Sequence, residues 1–287
     1  MKASELVLAP DGSLYHIHMD SSTLADKVLL VGDPARVNMF KEIFDTVEFE
    51  SHNRELHALT GSYHGTRMTS LSTGMGCDNI DIVMTELDAA LRVRDGQWAP
   101  DCGRSLQIVR IGTSGSLQAD IDCGSHVAAR FAIGLDGLMN YYREWTVGGR
   151  QLADMEEAFA QHMLLDNRMA APYCVEGSRT LLEKVACDMH HGITATAPGF
   201  YGPQGRTIRL HPATADLNER LASFRWADTP VTNLEMETSA IYGFSHLLGH
   251  AALTVCLIIA NRPKGTFLND YHPQMRELVG TVVERMA

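Results

Sequence analysis

The sequence predicts an α/β fold in a single domain over residues 1–287, with a mixed, largely parallel central sheet flanked by helices. Three observations predict it. Short β-rich runs alternate with segments whose apolar residues recur at helical spacing. Several runs stop at glycine turns that lead into the next helix. One run, Ala251 to Ala260 (AALTVCLIIA), is apolar throughout, as a strand covered on both faces must be.

Taken in order, Lys27 to Val31 (KVLLV) reads as a strand closed by Gly32-Asp33-Pro34, and 35–44 as a helix with proline at its first turn. Residues 67–73 form a strand ending at Gly74-Met75-Gly76. From Asn79, positions Ile80, Val83, Met84, Leu87, Ala90 and Leu91 trace one helical face. Leu106 to Ile111 is a third strand, stopping at Gly112-Thr113-Ser114-Gly115, and His126 to Ile133 a fourth. There follow a helix near 178–190, strands near 193–197 and 231–234, a helix over Thr238 to Gly249, the apolar strand 251–260 and an amphipathic helix at 272–286. Residues 137–177 are the least regular and read as an insertion or flap. No linker, repeat or low-complexity tract divides the chain.

Of 287 residues, 45% are hydrophobic and 21% charged, which excludes a disordered, collagenous or coiled-coil chain. The 24 Lys+Arg against 35 Asp+Glu give a net charge of −11, so neither nucleic acid nor an anionic membrane surface is an expected partner. The apolar run at 251–260 is well short of the ~20 residues that span a bilayer. The N-terminal segment lacks a signal-peptide core, so a cytoplasmic location is expected. Six cysteines without a CxxC pair suggest reduced thiols rather than a disulfide framework or a zinc site, and no metal centre is expected. GxGxxG after a strand, GxxxxGK[ST] and HExxH are all absent, which removes the usual support for dinucleotide, P-loop and zincin sites.

In open α/β sheets ligands sit past the carboxyl ends of strands, which directs attention to those turns. Gly32-Asp33-Pro34-Ala35-Arg36 joins a turn of close backbone approach to a helix start and a guanidinium, a combination suited to phosphate; an ordinary βα turn is the competing reading. Arg110 lies in a strand whose other residues, apart from Gln107, are Leu, Ile and Val, so its guanidinium must meet an anion or a carboxylate. Arg54, after a further strand, is a third cation. Glu235 and Glu237 stand where a short strand turns into a helix, positioned for capping or for vicinal hydroxyls. Phe200-Tyr201-Gly202-Pro203-Gln204-Gly205-Arg206 brings an aromatic ring, an amide and a guanidinium into one loop, which can stack on a planar ring and read its polar edge.

The segments GDPARV at 32–37, SHNRE at 51–55, RIGTSG at 110–115, FYGPQGR at 200–206, NLEMET at 233–238 and IIANR at 258–262 resemble, in order and over almost the whole chain, the nucleoside phosphorylase superfamily of the hexameric purine and uridine type. Within it the chain is most similar to the uridine-cleaving members. The resemblance implies that Gly32, Arg36, Arg110 and Thr113 bind phosphate, with Arg54 reaching in from a neighbouring subunit. Glu235, Met236 and Glu237 would hold the ribose hydroxyls, and His16 of the neighbour the 5′-hydroxyl. Phe200 would line the base pocket, Gln204 and Arg206 would bind the pyrimidine edge, and Arg262 would sit behind it. Arg110, Arg206 and Glu237 are thus the expected catalytic residues. No cofactor is implied beyond phosphate as co-substrate; some relatives hold a monovalent cation near the position of Glu55. The shared site implies a homo-oligomer, dimer or hexamer. Purine members place an Asp after the last strand as an acid for N7, whereas this strand ends Ala260-Asn261-Arg262, and Asn cannot donate that proton. The implied reaction is reversible phosphorolysis of uridine to uracil and ribose 1-phosphate. Alternatives are a purine or broad-specificity phosphorylase, a nucleosidase, or a non-catalytic nucleoside-binding protein. The loop FYGPQGR departs from the family's FYPGQER, and Asn53 from the usual SHREF-like run.

Overall fold

The computed structural model describes residues 2, 4–94, 96–99, 102–164 and 168–287. In chain order the elements are β1 (Lys27–Val31), α1 (Pro34–Ile43), β2 (Thr46–Asn53), β3 (Leu56–Tyr63), β4 (Thr66–Ser72), α2 (Cys77–Arg92), a short hairpin of β5 (Val93–Arg94) and β6 (Gln97–Trp98), β7 (Gln107–Ser116) and β8 (His126–Gly134). The second half adds α3 (Ala153–Met163), β9 (Tyr173–Glu176), α4 (Arg179–Ala186), β10 (His190–Thr196), α5 (Leu217–Ser223), β11 (Arg225–Trp226), β12 (Thr229–Glu235), α6 (Thr238–Leu248), β13 (Ala251–Asn261), β14 (Thr266–Phe267) and α7 (His272–Met286).

β1 is buried after its first residue, so KVLLV needs no polar face. It lies between β4 and β7, parallel to both, in a sheet ordered β11-β12-β10-β8-β13-β7-β1-β4-β3-β2. Parallel pairings also join β7 to β13, β8 to β10 and β10 to β12, while the β2-β3-β4 meander and β13–β8 are antiparallel. β12 also pairs antiparallel with the end of β7, Asn233 opposite Ser116 and Leu234 opposite Gly115. Strands β12, β10, β8, β13 and β7 therefore close into a ring, and β1, β4, β3 and β2 extend from it as an open wing.

Helices cover both faces. α2 and α6 bury Ile80, Val83, Met84, Leu87, Ile241 and Phe244 on one side. On the other, α1, α4 and α7 bury Val37, Phe40, Val185, Leu278 and Val282. Among the described residues no helix is long and apolar enough to cross a membrane. All six cysteines are free.

Two stretches differ from the sequence reading. The described residues of the 137–177 stretch pack onto the fold: Met155, Phe159 and Met163 of α3 enter a core cluster with Leu221 and Phe224, and β9 pairs with β8. The α3 residues recur at i, i+4 and i+8, a helical face that the surrounding polar residues obscure. Likewise β3 and most of β2 escape the pattern search. β2 (TVEFESHN) is an edge strand with no buried residue, so nothing selects an apolar alternation.

Candidate active site

Arg110 occupies the middle of β7 and is 4% exposed. Its guanidinium folds back over Gly112, where a methyl group would lie 2.3 Å from Nη1, so glycine is required for the side chain to lie flat along its own strand. There Nη1 is 3.0 Å from Glu235 Oε2, and Nη2 donates to Glu237 Oε2. Burial alone would lower the Arg110 pKa, but Glu237 and Glu235 outweigh it and raise it, so the cation persists.

The two carboxylates have different occupations. Glu235 accepts from the Thr196 hydroxyl at 2.7 Å, from Glu237 N–H at 3.0 Å and from Thr238 N–H at 3.1 Å, satisfying the first amides of α6. It is fully engaged within the chain. Glu237 receives Gly76 N–H at 2.7 Å on Oε1 and Arg110 on Oε2, which ties the start of α2 to the start of α6. Burial pushes the Glu237 carboxyl upward; Arg110 opposes this and Glu235 adds to it. Met236, between them, accepts the Cys77 thiol on its carbonyl at 3.2 Å.

Beside this cluster run the turns that follow β1 and β4. Continuing the register Leu30 opposite Arg110 brings Gly32 next to Gly112, with Thr113 one residue on. On its other side a side chain at Gly32 would press on the Gly74 carbonyl at 3.3 Å. The starts of α1 and α2 therefore lie together at the carboxyl ends of adjacent strands, the setting that favours an anion. Arg36 sits in the first turn of α1, its guanidinium 5.9 Å from the Tyr271 ring and its Nε buried without a partner.

A second cluster gathers the base-pocket candidates. Gln204 is 3% exposed, and its Oε1 accepts from Arg206 Nη1 at 2.6 Å and Arg262 Nη2 at 2.9 Å. Arg262 also donates to the Gln204 carbonyl at 2.7 Å. Holding the amide oxygen between two guanidiniums fixes the amide's orientation and leaves Nε2 free to donate. Burial lowers the Arg206 pKa, and burial with Arg206 as a like-charged neighbour pushes Arg262 down to about 10, both still charged at neutral pH. Arg206 lies 3.8 Å over the Phe200 ring, which is half exposed, so one face of the ring is already covered. The loop's glycine at 205 answers a local demand: φ is +70° and a side chain would strike Asn218. Arg262 Nε is 3.3 Å from where a Gly115 side chain would begin, which places this cluster against the end of β7. A cavity of about 980 Å³ opens beyond Tyr201, Arg206 and Ile208.

His16 and Arg54 do not join these clusters within one chain. The His16 ring bonds Glu86 at 2.5 Å, and the same carboxylate accepts the His16 and Ile17 amides. At 1.5 Å per residue Glu86 sits roughly 14 Å along α2 from Cys77. Arg54 is exposed in the β2–β3 turn at φ +55° and holds no bond among the described residues. Asn53 Nδ2 donates to the Tyr15 and His16 carbonyls, both at 3.0 Å, so His16 and Arg54 share one rim. Glu55, near which some relatives hold a monovalent cation, is exposed, and the Ser72 hydroxyl donates to its carbonyl and accepts the His57 amide.

Sequence reading missed three supports. Glu86 anchors His16, and its place among Val83, Met84 and Leu87 was the available signal for a carboxylate facing inward. Gly76, noted only as a strand end, gives its amide to Glu237. Asp136 accepts from Tyr173 and Ser239, each at 2.9 Å, beneath the start of α6, and nothing local in the sequence foretells it.

Residues 26–286 match the family description "Phosphorylase superfamily". A uridine phosphorylase of Thermococcus kodakarensis is 29% identical over 260 residues, covering 90% of this chain and 80% of that protein. A DeoD-type purine nucleoside phosphorylase of Alkaliphilus metalliredigens is 28% identical over 245 residues, 85% of each. The solved Trypanosoma brucei nucleoside phosphorylase, described as showing uridine phosphorylase activity, superposes with a TM-score of 0.84 at 28% identity over 98% of both chains.

Proposed function

The chain belongs to the phosphorylase superfamily as a nucleoside phosphorylase, a pentosyltransferase, and we propose that its nucleoside is uridine, cleaved reversibly to uracil and ribose 1-phosphate. The observation that carries the choice of base is the pair Arg206 and Arg262, two guanidiniums sharing one amide oxygen with no carboxylate paired to either among the described residues. Such a place gains from a ligand that brings electron density. As the glycosidic bond breaks, its electron pair passes to N1 of the base, and uracil spreads the charge over its carbonyl oxygens; the free Gln204 Nε2–H and the guanidiniums present donors to them. Asn261 argues in the same direction. Its Nδ2 donates to the Gln118 and Ile121 carbonyls at 3.1 and 2.9 Å and its Oδ1 accepts Lys264 N–H, so it is committed to the backbone and offers no acid to a purine N7.

At the other cluster, Glu237 accepts hydrogen bonds from the ribose hydroxyls, with Met236 beside it. Gly32, Arg36, Arg110 and Thr113 hold phosphate so that one oxygen bonds C1′ from the face opposite the departing base. Positive charge builds on the sugar between the Glu237 carboxylate and the phosphate, so catalysis is positioning and electrostatics. His16 and Arg54 complete the site from a second copy of the chain, which makes an oligomer the active species.

The test is to incubate the protein with uridine, thymidine, inosine and adenosine, with and without phosphate, and to follow free base. Phosphate-dependent release of uracil, well ahead of hypoxanthine and adenine, is expected. Comparable purine release would replace uridine with a broad or purine specificity, in keeping with the DeoD-type relative. Release without phosphate would indicate a nucleosidase, and binding without turnover a nucleoside-binding protein.

A further inference from the structure

The open wing of the sheet carries three side chains that the proposed reaction does not use. β2 and β3 pair with His52 directly opposite His57, and Glu50, two residues before His52, projects from the same face. The imidazoles stack with centroids 3.7 Å apart. Nε2 of His57 lies 3.1 Å, and Nε2 of His52 3.5 Å, from one oxygen, Glu50 Oε1.

His57 is 3% exposed, and its other nitrogen, Nδ1, lies 3.3 Å from the Pro34 carbonyl. When Nδ1 donates to that carbonyl, which can only accept, Nε2 of the neutral ring has a lone pair free for a metal ion. An ion placed among Glu50 Oε1, His52 Nε2 and His57 Nε2 would take a lone pair from each. Ligand atoms each about 2 Å from a tetrahedral ion lie about 3.3 Å apart; the two separations to Glu50, 3.1 and 3.5 Å, bracket that value, and all three atoms lie within 4.8 Å of one another.

We propose that Glu50, His52 and His57 form a binding site for a divalent transition-metal ion of the Zn²⁺ class. Two imidazoles and a carboxylate favour such an ion over Mg²⁺ or Ca²⁺, which take oxygen ligands. The Pro34 carbonyl behind His57 is the outer partner that holds a ligating imidazole in the correct tautomer. Lys41, 2.7 Å from Glu50 Oε2, occupies the other carboxylate oxygen and leaves Oε1 for the ion. Cross-strand pairing, and not a CxxC-type spacing, assembles this set. Pro34 opens α1 and Arg54 follows β2, so the ion would tie the hairpin and its turn to the start of that helix.

The test uses the full chain, stripped with a chelator and dialysed against ZnCl₂, with bound zinc counted by atomic emission, and then repeated with CoCl₂ while visible absorption is recorded. The wild type should hold one more ion per chain than His52→Asn, whose exposed position preserves the fold as circular dichroism will show. His57→Gln and Glu50→Gln should lose the same ion, MgCl₂ should not displace it, and the cobalt bands should lack thiolate charge transfer. Equal zinc in wild type and His52→Asn, or a cobalt spectrum dominated by thiolate bands, would overturn the proposal.

Discussion

Arg110 is a buried cation facing two buried carboxylates, so any change to it has two separable effects. Arg110→Ala removes the proposed charge-assisted contact to phosphate, about 1.5–3 kcal/mol, and should lower uracil release at limiting phosphate roughly ten- to a hundredfold. It also leaves Glu235 and Glu237 unpaired, and a thermal melt should register the loss as a large fall in Tm. Full activity at limiting phosphate would dismiss the clamp. Glu50 provides a test in acid. Lys41 first, with His57 and His52, holds its carboxyl down at about 2, against an ordinary value of 4.5. A carboxyl depressed in the folded state stabilises fully above 4.5 and loses that contribution as pH falls towards 2. Tm measured from pH 5 to pH 2 should therefore fall less steeply in Glu50→Gln than in the wild type, and modestly so, because solvent screens the pair. The destination of Arg110 was legible in sequence, since a guanidinium inside an apolar strand must find a counter-charge. Which carboxylates it finds was not, because Glu235 and Glu237 arrive from more than a hundred residues away.

Among the elements, α4 illustrates a local rule acting alone. Ser178 accepts the Leu181 amide at 3.3 Å at its start, and Ser178→Ala should cost about 1 kcal/mol in denaturant titrations. The 202–204 turn shows local and tertiary demands meeting at one residue. Gly205→Ala should destabilise by at least ~1 kcal/mol and weaken uridine binding, because the positive φ and the contact with Asn218 both resist a side chain. An unchanged KM for uridine in that variant would detach the loop from base recognition. Elements with strong apolar signatures, β1, α2, β13 and α7, stand where their patterns predict them. Elements whose neighbours supply the reason for them, such as the exposed strand β2 and the stretch around α3, leave only faint traces in the chain. The Gln204 cluster follows the same division: the residue types of FYGPQGR suit a polar edge, while the sharing of the Gln204 oxygen by Arg262 depends on the loop after β10 meeting the end of β13.

At the scale of the molecule, the separation of His16 and Arg54 from the Arg110 cluster makes a prediction about assembly. If each site takes Arg54 from a neighbour, mixing the impaired Arg54→Ala and Arg110→Ala proteins after dissociation should raise activity above that of either alone. In a random mixture of dimers about a quarter of the wild-type value is expected, since half of the dimers then hold one intact site of two. No recovery under conditions that exchange subunits would confine the site to one chain. The closure of β7 onto β12 has a further consequence for motion. Arg110 and Glu235 stand on strands of one hydrogen-bonded ring, so no hinge passes between them, and the ion cluster cannot part without breaking a ladder on both sides. Amide protons of Val109, Ile111 and Leu234 should then exchange with deuterium only through global unfolding, while those of the 206–214 loop exchange within the burst of the experiment. Substrate must enter past such loops, over a floor that stays shut.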